Sequence, residues 1–343
     1  MIVIADDITG AAEIAGIAFS KGHQVSLVCG CNTATYGTIV IATDTRSMTE
    51  AEAIAETKQL SFLISHHSSL IYKKTDSALR GHVVAELEAL MQATGYKRAI
   101  YLPANPSKGR IVRNGIYYIG ETPIAETAFN YDPEFPAKTS ALRERFPDAE
   151  EKGIIMPDAE SEEDIRRIIT EYNDGHTLFA GAADLFSAFL TSKPTTYHPP
   201  INTNNKLILC GSTQSKPLEL GIPIAPMPKE IYDGSDDLSL WDTSKYDQER
   251  GLILTIPYTH RTGKEVAVHL RNIMAKMTQQ LIKRHHPKQL IVEGGATAWA
   301  ALQAIGWSQF VIICQIAPGV VQMRAANGTL VILKPGSYPW GKL

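Results

Sequence analysis

The sequence predicts an α/β fold: two three-layer α/β domains with mainly parallel sheets and an interdomain cleft, divided as 1–198 and 199–343. Three observations carry that expectation. Short, near-continuous apolar runs rich in Val and Ile alternate with helix-period segments, the mark of a parallel sheet buried on both faces. The 343 residues correspond to about two domains at roughly 150 residues each. Thr191 to Lys206, with three prolines, four threonines and three asparagines, has the composition of a linker.

The elements follow in order. Ile2 to Ala5 forms a strand that runs into Asp6-Asp7-Ile8-Thr9-Gly10 and an Ala-rich helix to about Ser20. Gln24 to Val28 and Thr38 to Ala42 are strands, the latter followed by Asp44-Thr45-Arg46. Thr49-x-x-Glu52 is a capping box opening a helix to about Ser65. Leu70 to Lys73 ends in Lys74-Thr75-Asp76-Ser77, and a helix from about Gly81 to Thr94 closes on Gly95 at C′. Ala99 to Leu102 ends in Pro103-Ala104-Asn105-Pro106. Glycines and prolines break up 111–157, which reads as a hairpin around Ile116 to Ile119 within an excursion over the site. Ser161-x-x-Asp164 starts a helix ending near Gly175, before a strand from Thr177 to Ala180. The second unit begins at Leu207. It continues with strand Leu252 to Ile256, a helix from about Gly263 to His285, and strand Gln289 to Val292. Gly294-Gly295 leads into another helix, and strands Phe310 to Cys314 and Leu330 to Leu333 close the chain.

Ligands of such sheets bind beyond the carboxyl ends of the strands. The polar clusters that follow the strands therefore converge by topology: Asp6 and Asp7, Asp44 and Arg46, Lys74 and Asp76, Asn105. Either Asp6 or Asp7 could serve as base or hydroxyl ligand, with helix capping as the competing role. Arg46, Lys74, Arg80 and Arg110 supply cations for a carboxylate or phosphate. This mixture suits a polyhydroxy acid. In the second half, Glu293-Gly294-Gly295-Ala296-Thr297-Ala298 lies between strand and helix, where backbone amides and the helix N-terminus can approach phosphate. Gly211-Ser212-Thr213 and Lys334-Pro335-Gly336-Ser337 repeat the pattern, and together the three loops suggest a nucleotide cradle.

Composition sets the bounds. A hydrophobic fraction of 44% and a charged fraction of 20% describe a soluble globular chain, and a net charge of −3 argues against a nucleic-acid coat or a polybasic membrane binder. No apolar run approaches a membrane span, and Met1 to Thr9 lacks the basic region of a signal peptide. Cys29, Cys31, Cys210 and Cys314 read as small buried hydrophobes in a reducing compartment, so the expected location is cytoplasmic. The doublets His66-His67 and His285-His286 fall at helix ends and read as surface; no residue is assigned to a metal. Gly263-Lys264 lacks the glycine and Ser/Thr of a Walker A loop, and no G-x-G-x-x-G, G-x-S-x-G or H-E-x-x-H is present.

Ile4-Ala5-Asp6-Asp7-Ile8-Thr9-Gly10-Ala11, Lys74-Thr75-Asp76-Ser77-Ala78-Leu79-Arg80-Gly81, Glu293-Gly294-Gly295-Ala296-Thr297-Ala298, Ala317-Pro318-Gly319 and Leu333-Lys334-Pro335-Gly336-Ser337-Tyr338 resemble the four-carbon acid sugar kinase family. The motifs stand in family order along the whole chain. The resemblance implies ATP-dependent phosphorylation of threonate, erythronate or 3-oxo-tetronate, with the sugar acid on the N-terminal domain and ATP, with Mg²⁺, on the C-terminal one. It implies Asp7 and Asp76 as catalytic candidates and Asp6, Arg46, Lys74, Ser77 and Arg80 as substrate residues. Ser212, Gly294, Gly295, Thr297 and Gly336 would hold the nucleotide. Nucleic-acid and membrane partners are not expected, and homo-oligomerisation is open. The chain departs from the family at Ala296, where an acidic residue is usual, at Val321 and Pro339, and in a shorter second domain. Two rivals remain: a weakened relative acting as a sugar-acid or nucleotide sensor, and a nicotinamide-dependent sugar-acid dehydrogenase.

Overall fold

The computed structural model describes residues 1–30, 37–64, 70–132, 134–193, 199–211, 220–261 and 263–336. Ser212, Ser337, Cys31 and the His66-His67 doublet lie outside them. The chain divides into two compact units, Met1–Thr195 and Thr196–Leu343.

The first unit contains strands β1 (Ile2–Ala5), β2 (Val25–Cys29), β3 (Thr38–Ala42), β4 (Ile71–Lys74) and β5 (Arg98–Leu102). After these come β6 (Arg110–Arg113), β7 (Ile116–Ile119), β8 (Thr122–Pro123), β9 (Ile154–Ile155) and β10 (Thr177–Gly181). Its helices are α1 (Ile8–Ser20), α2 (Glu50–Ile64), α3 (Val83–Thr94), α4 (Leu142–Arg145), α5 (Glu162–Tyr172) and α6 (Ala183–Phe189). The main sheet runs β2-β3-β1-β4-β10-β5-β9 with all neighbours parallel. Its central strands are buried along their length, as the unbroken apolar runs require.

Successive residues of β4 show the layering. Lys73 reaches Glu86 on α3, whereas Lys74 faces Glu13 on α1. Adjacent side chains of a strand point to opposite faces, so α1 and α3 cover opposite sides of the sheet. α2 packs with α3, and α6 with α1 and α5. The expected local signals are present. Glu52 accepts from the Thr49 N–H at 2.8 Å, Ser161 and Asp164 cap one another, and Gly95 closes α3 at φ 80°. The excursion is a small antiparallel sheet, β6-β7-β8. Its first turn is Asn114-Gly115, both at positive φ, with the Asp158 carboxylate accepting both N–H groups.

The second unit contains β11 (Lys206–Cys210), β12 (Ile224–Pro226), β13 (Gly251–Thr255), β14 (Gln289–Glu293), β15 (Gln309–Ala317), β16 (Val320–Ala325) and β17 (Leu330–Lys334). Its helices are α7 (Lys229–Tyr232), α8 (Lys264–His285) and α9 (Gly295–Ile305), of which α8 and α9 pack together. Strands β12-β13-β11-β14-β17 are parallel, and β16 and β15 continue the sheet antiparallel. The antiparallel part goes beyond the sequence expectation. The run from Phe310 extends to Ala317 and turns back through Pro318-Gly319, Gly319 having φ 75°; this turn motif creates β16.

Candidate functional site

Register places the polar clusters of the first unit side by side. Ala5 pairs with Ala42 and Lys74, and Gly181 pairs with Lys74 and Leu102. The residues following β1, β3, β4 and β5 therefore share one edge, as topology requires.

Arg46 is the hub of that edge. Its Nε and Nη2 both donate to Asp6 at 3.0 Å, and Nη2 also donates to Asp7 Oδ1 at 3.1 Å and stands 3.7 Å from Asp76 Oδ1. The fork that could grip a substrate carboxylate is thus spent on Asp6. Asp76 is held bidentately by Arg80, at 2.8 and 3.1 Å, and also accepts the Ala78 N–H at 2.9 Å. Burial opposes ionisation of Asp76, but Arg46 and Arg80 outweigh it and hold the carboxyl far below the carboxylate range.

Asp7 is the N-cap of α1, its Oδ1 accepting the Gly10 N–H at 2.9 Å, while Oδ2, among the described residues, takes only the Thr9 hydroxyl. Burial raises its pKa, yet Arg46, the Thr9 hydroxyl and Lys74 bring it below the ordinary value. Asp6 differs: burial pushes its carboxyl up, with Arg46 pulling the other way. Asp7 and Asp76 are therefore the two carboxyls of the trio held below their ordinary value, and Asp7 keeps the freer oxygen.

Lys74 makes no direct contact with Asp76, although its charge adds to those of Arg46 and Arg80 in keeping that carboxyl low. Its Nζ donates to the Thr75 carbonyl at 2.8 Å and lies 3.6 Å from Glu13. Ser77 Oγ accepts from Arg110, and the Ser77 carbonyl accepts from Tyr117. The excursion reaches the same edge: Phe129 lies under both Arg80 and Arg110, and Asp132 is 3.5 Å from Arg80. The Thr75 hydroxyl, between Lys74 and Asp76, is buried without a hydrogen-bond partner among the described residues. Sequence reasoning missed Glu13, Phe129, Asp132 and Tyr117. Glu13 carried a signal, a lone acid in the apolar stretch Gly10-Ala11-Ala12-Glu13-Ile14-Ala15.

In the second unit Cys210 pairs with Glu293, and Glu293 with Lys334, so the loops after β11, β14 and β17 are neighbours. Gly294 sits at φ 97° ahead of α9 with no side-chain cap, which leaves the first amides of that helix available. At Gly211 a Cβ would stand 2.2 Å from Thr297 Oγ1, so only glycine permits this approach of β11 to α9. Thr297 stands beside both Gly211 and Gly294, and the Gly294 N–H donates to the Lys334 carbonyl two residues before Gly336. Glu293 is buried on Lys334, and Ala296 is exposed with no donor atom in its side chain. Among the described residues no group of three or more His, Cys, Asp or Glu could hold a metal ion. This loop fits phosphate but offers Mg²⁺ no free carboxylate.

Residues 1–149 match the model of a sugar-binding N-terminal domain, and residues 238–338 that of a nucleotide-binding C-terminal domain. Fold, site and models together define a two-unit α/β protein with a sugar-binding and a nucleotide-binding half. A D-threonate kinase of Salmonella typhimurium is 33% identical over 149 residues, which cover 42% of this chain but only 35% of that relative's length. A 3-oxo-tetronate kinase of Actinobacillus succinogenes is 25% identical over 98% of this chain and 96% of its own. The solved structure of a DUF1537 protein of Haemophilus influenzae shares the fold, with a TM-score of 0.72 at 20% identity over 99% of this chain and 97% of that one. The chain belongs to the four-carbon acid sugar kinase family.

Proposed function

We propose that the protein is an ATP-dependent kinase that phosphorylates a hydroxyl of a four-carbon acid sugar: threonate, erythronate or 3-oxo-tetronate. One observation carries the reading. Asp7, ionised and with Oδ2 engaged among the described residues only by Thr9, stands at a sheet edge lined by arginines and aspartates. Such an edge recognises a polyhydroxy acid, and the unpartnered Thr75 hydroxyl fits a polar ligand there.

Asp7 orients the substrate hydroxyl and accepts its proton. The hydroxyl oxygen then bonds to the γ-phosphorus as the bond to the β,γ-bridging oxygen breaks, leaving ADP. Phosphoryl transfer depends mainly on positioning and charge neutralisation. Arg46 and Arg80 fix the aspartates, and the first amides of α9 with the Gly294-Gly295 turn hold the phosphates. Mg²⁺, held through the nucleotide's phosphates, would supply charge neutralisation; no residue of this chain is assigned to it.

The test is ADP release from ATP across a panel of threonate, erythronate and 3-oxo-tetronate. Turnover dependent on one of these acids supports the reading, and none with any of them defeats it. A second reading, a nucleotide- or sugar-acid-binding sensor, is favoured by exposed Ala296, which leaves the nucleotide loop without a carboxylate. Tetronate and nucleotide binding without turnover would establish it instead.

A further inference from the structure

Charges at the sugar-domain edge do not cancel pair by pair. Four carboxylates, Asp6, Asp7, Asp76 and Asp132, face the two guanidinium groups of Arg46 and Arg80. That region suits substrate hydroxyls and repels a carboxylate. Lys74 and Lys108 both turn to Glu13.

Arg110 stands apart from these pairs. Its side-chain partners among the described residues are neutral: the Ser77 hydroxyl, the Tyr117 hydroxyl and the Phe129 ring, whose centroid is 5.7 Å away. No carboxylate among the described residues lies within ion-pairing distance of it. A half-buried guanidinium loses hydration without gaining a counter-ion, and its planar fork of five N–H donors matches a carboxylate bidentately. Its backbone is fixed as well. The Asn105 N–H donates to the Arg110 carbonyl at 2.7 Å, and the Arg110 N–H donates back to Asn105 at 3.2 Å. The Phe129 ring also lies under Arg80, at 5.9 Å. Arg110 therefore continues the strip that runs from Asp7 through Arg46, Asp76 and Arg80.

We infer that Arg110 receives the carboxylate of the acid sugar, with the substrate's hydroxyls directed toward Asp7 and Asp76. The inference rests on the acid-sugar reading above and names the residue that makes the site select an acid. Of the four cations the sequence offered for a carboxylate, it selects Arg110 over Arg46 and Arg80, which already grip Asp6 and Asp76 bidentately.

The experiment compares binding of a tetronate with binding of its neutral amide, by calorimetry and competition, in wild type and in Arg110→Gln and Arg110→Lys. Loss of a desolvated charge partner is expected to reduce the preference for acid over amide by about 30-fold or more in Arg110→Gln. Arg110→Lys keeps part of the preference, because a point charge replaces the fork. ADP affinity should be unchanged, which reports an intact fold. An unchanged preference, or an equal loss of acid and amide, overturns the inference while the kinase reading stands. If the wild type binds no tetronate, the acid-sugar reading fails and takes the inference with it.

Discussion

Asp7 and Arg46 meet at 3.1 Å, and that contact divides the work of three aspartates. Arg46 commits its bidentate grip to Asp6, touches Asp7 with one nitrogen and stands off Asp76. Asp6 becomes a buried anchor, Asp76 the partner of Arg80, and Asp7 the carboxylate with an oxygen left for a substrate.

Asp7→Asn is expected to lower turnover by about 100-fold or more, the usual effect of losing a general base. Asparagine caps helices as well as aspartate does. Its amide oxygen can still accept the Gly10 N–H, so the thermal midpoint should move little. Steady-state kinetics beside a melting curve separate chemistry from folding; wild-type turnover in the variant would remove Asp7 from the mechanism.

Acid stability should depend on Asp76. Its folded pKa lies far below the ordinary 3.8, because Arg46 and Arg80 outweigh burial. The unfolded chain therefore takes up that proton at a higher pH than the folded one. The stabilisation is complete above the ordinary value and is lost as pH falls below it. Asp7 acts in the same direction; Asp6, raised by burial, acts in the opposite one. Asp76→Asn should be less stable at neutral pH and should lose less stability between about pH 5 and pH 3. Urea unfolding at both pH values measures this, and a slope equal to wild type would refute it.

Much of this was legible because it is topological. Alternating apolar runs force a parallel sheet, and a parallel sheet collects the residues after its strands at one edge. That placed Asp7, Arg46, Asp76 and Arg80 together without any contact being known. The choice of partners was not legible. Arg46 could have faced a substrate, and only three-dimensional packing hands it to Asp6. Lys74 looked like the direct ion-pair partner of Asp76 by adjacency along the chain, but the pleat turns it toward Glu13, a residue on another element, and it acts on Asp76 only at longer range. Arg110 was visible as a basic residue at a strand end; its lack of a carboxylate partner was not.

Glu293 and Lys334 are register partners across β14 and β17, and both are buried. Lys334→Met leaves an uncompensated carboxylate inside the nucleotide unit and should cost about 3–5 kcal/mol. Adding Glu293→Leu removes the stranded charge and should recover much of that loss. Denaturant unfolding of the single and double variants checks both statements. A double variant no more stable than the single would show that the pair does more than neutralise itself.

Ala296 tests the nucleotide loop. It is the second residue of α9, exposed beside the Gly294-Gly295 turn. Backbone amides and a helix N-terminus attract phosphate without help from that side chain. What Ala296 cannot do is orient a metal ion or its waters, and Glu293, closed on Lys334, is poorly placed to substitute. Ala296→Glu should therefore tighten binding of Mg²⁺-ATP or raise turnover, while metal-free ADP binds no more tightly than before. A carboxylate in the first turn also complements the helix dipole, by about 0.3–1 kcal/mol, so the melting temperature should rise slightly without ligand. Calorimetric titration of wild type, Ala296→Glu and Glu293→Gln, with and without Mg²⁺, separates the alternatives. A metal-dependent loss confined to Glu293→Gln would assign the role to Glu293 despite its burial. No metal-dependent change in either variant would mean that the nucleotide's metal is handled elsewhere than this turn.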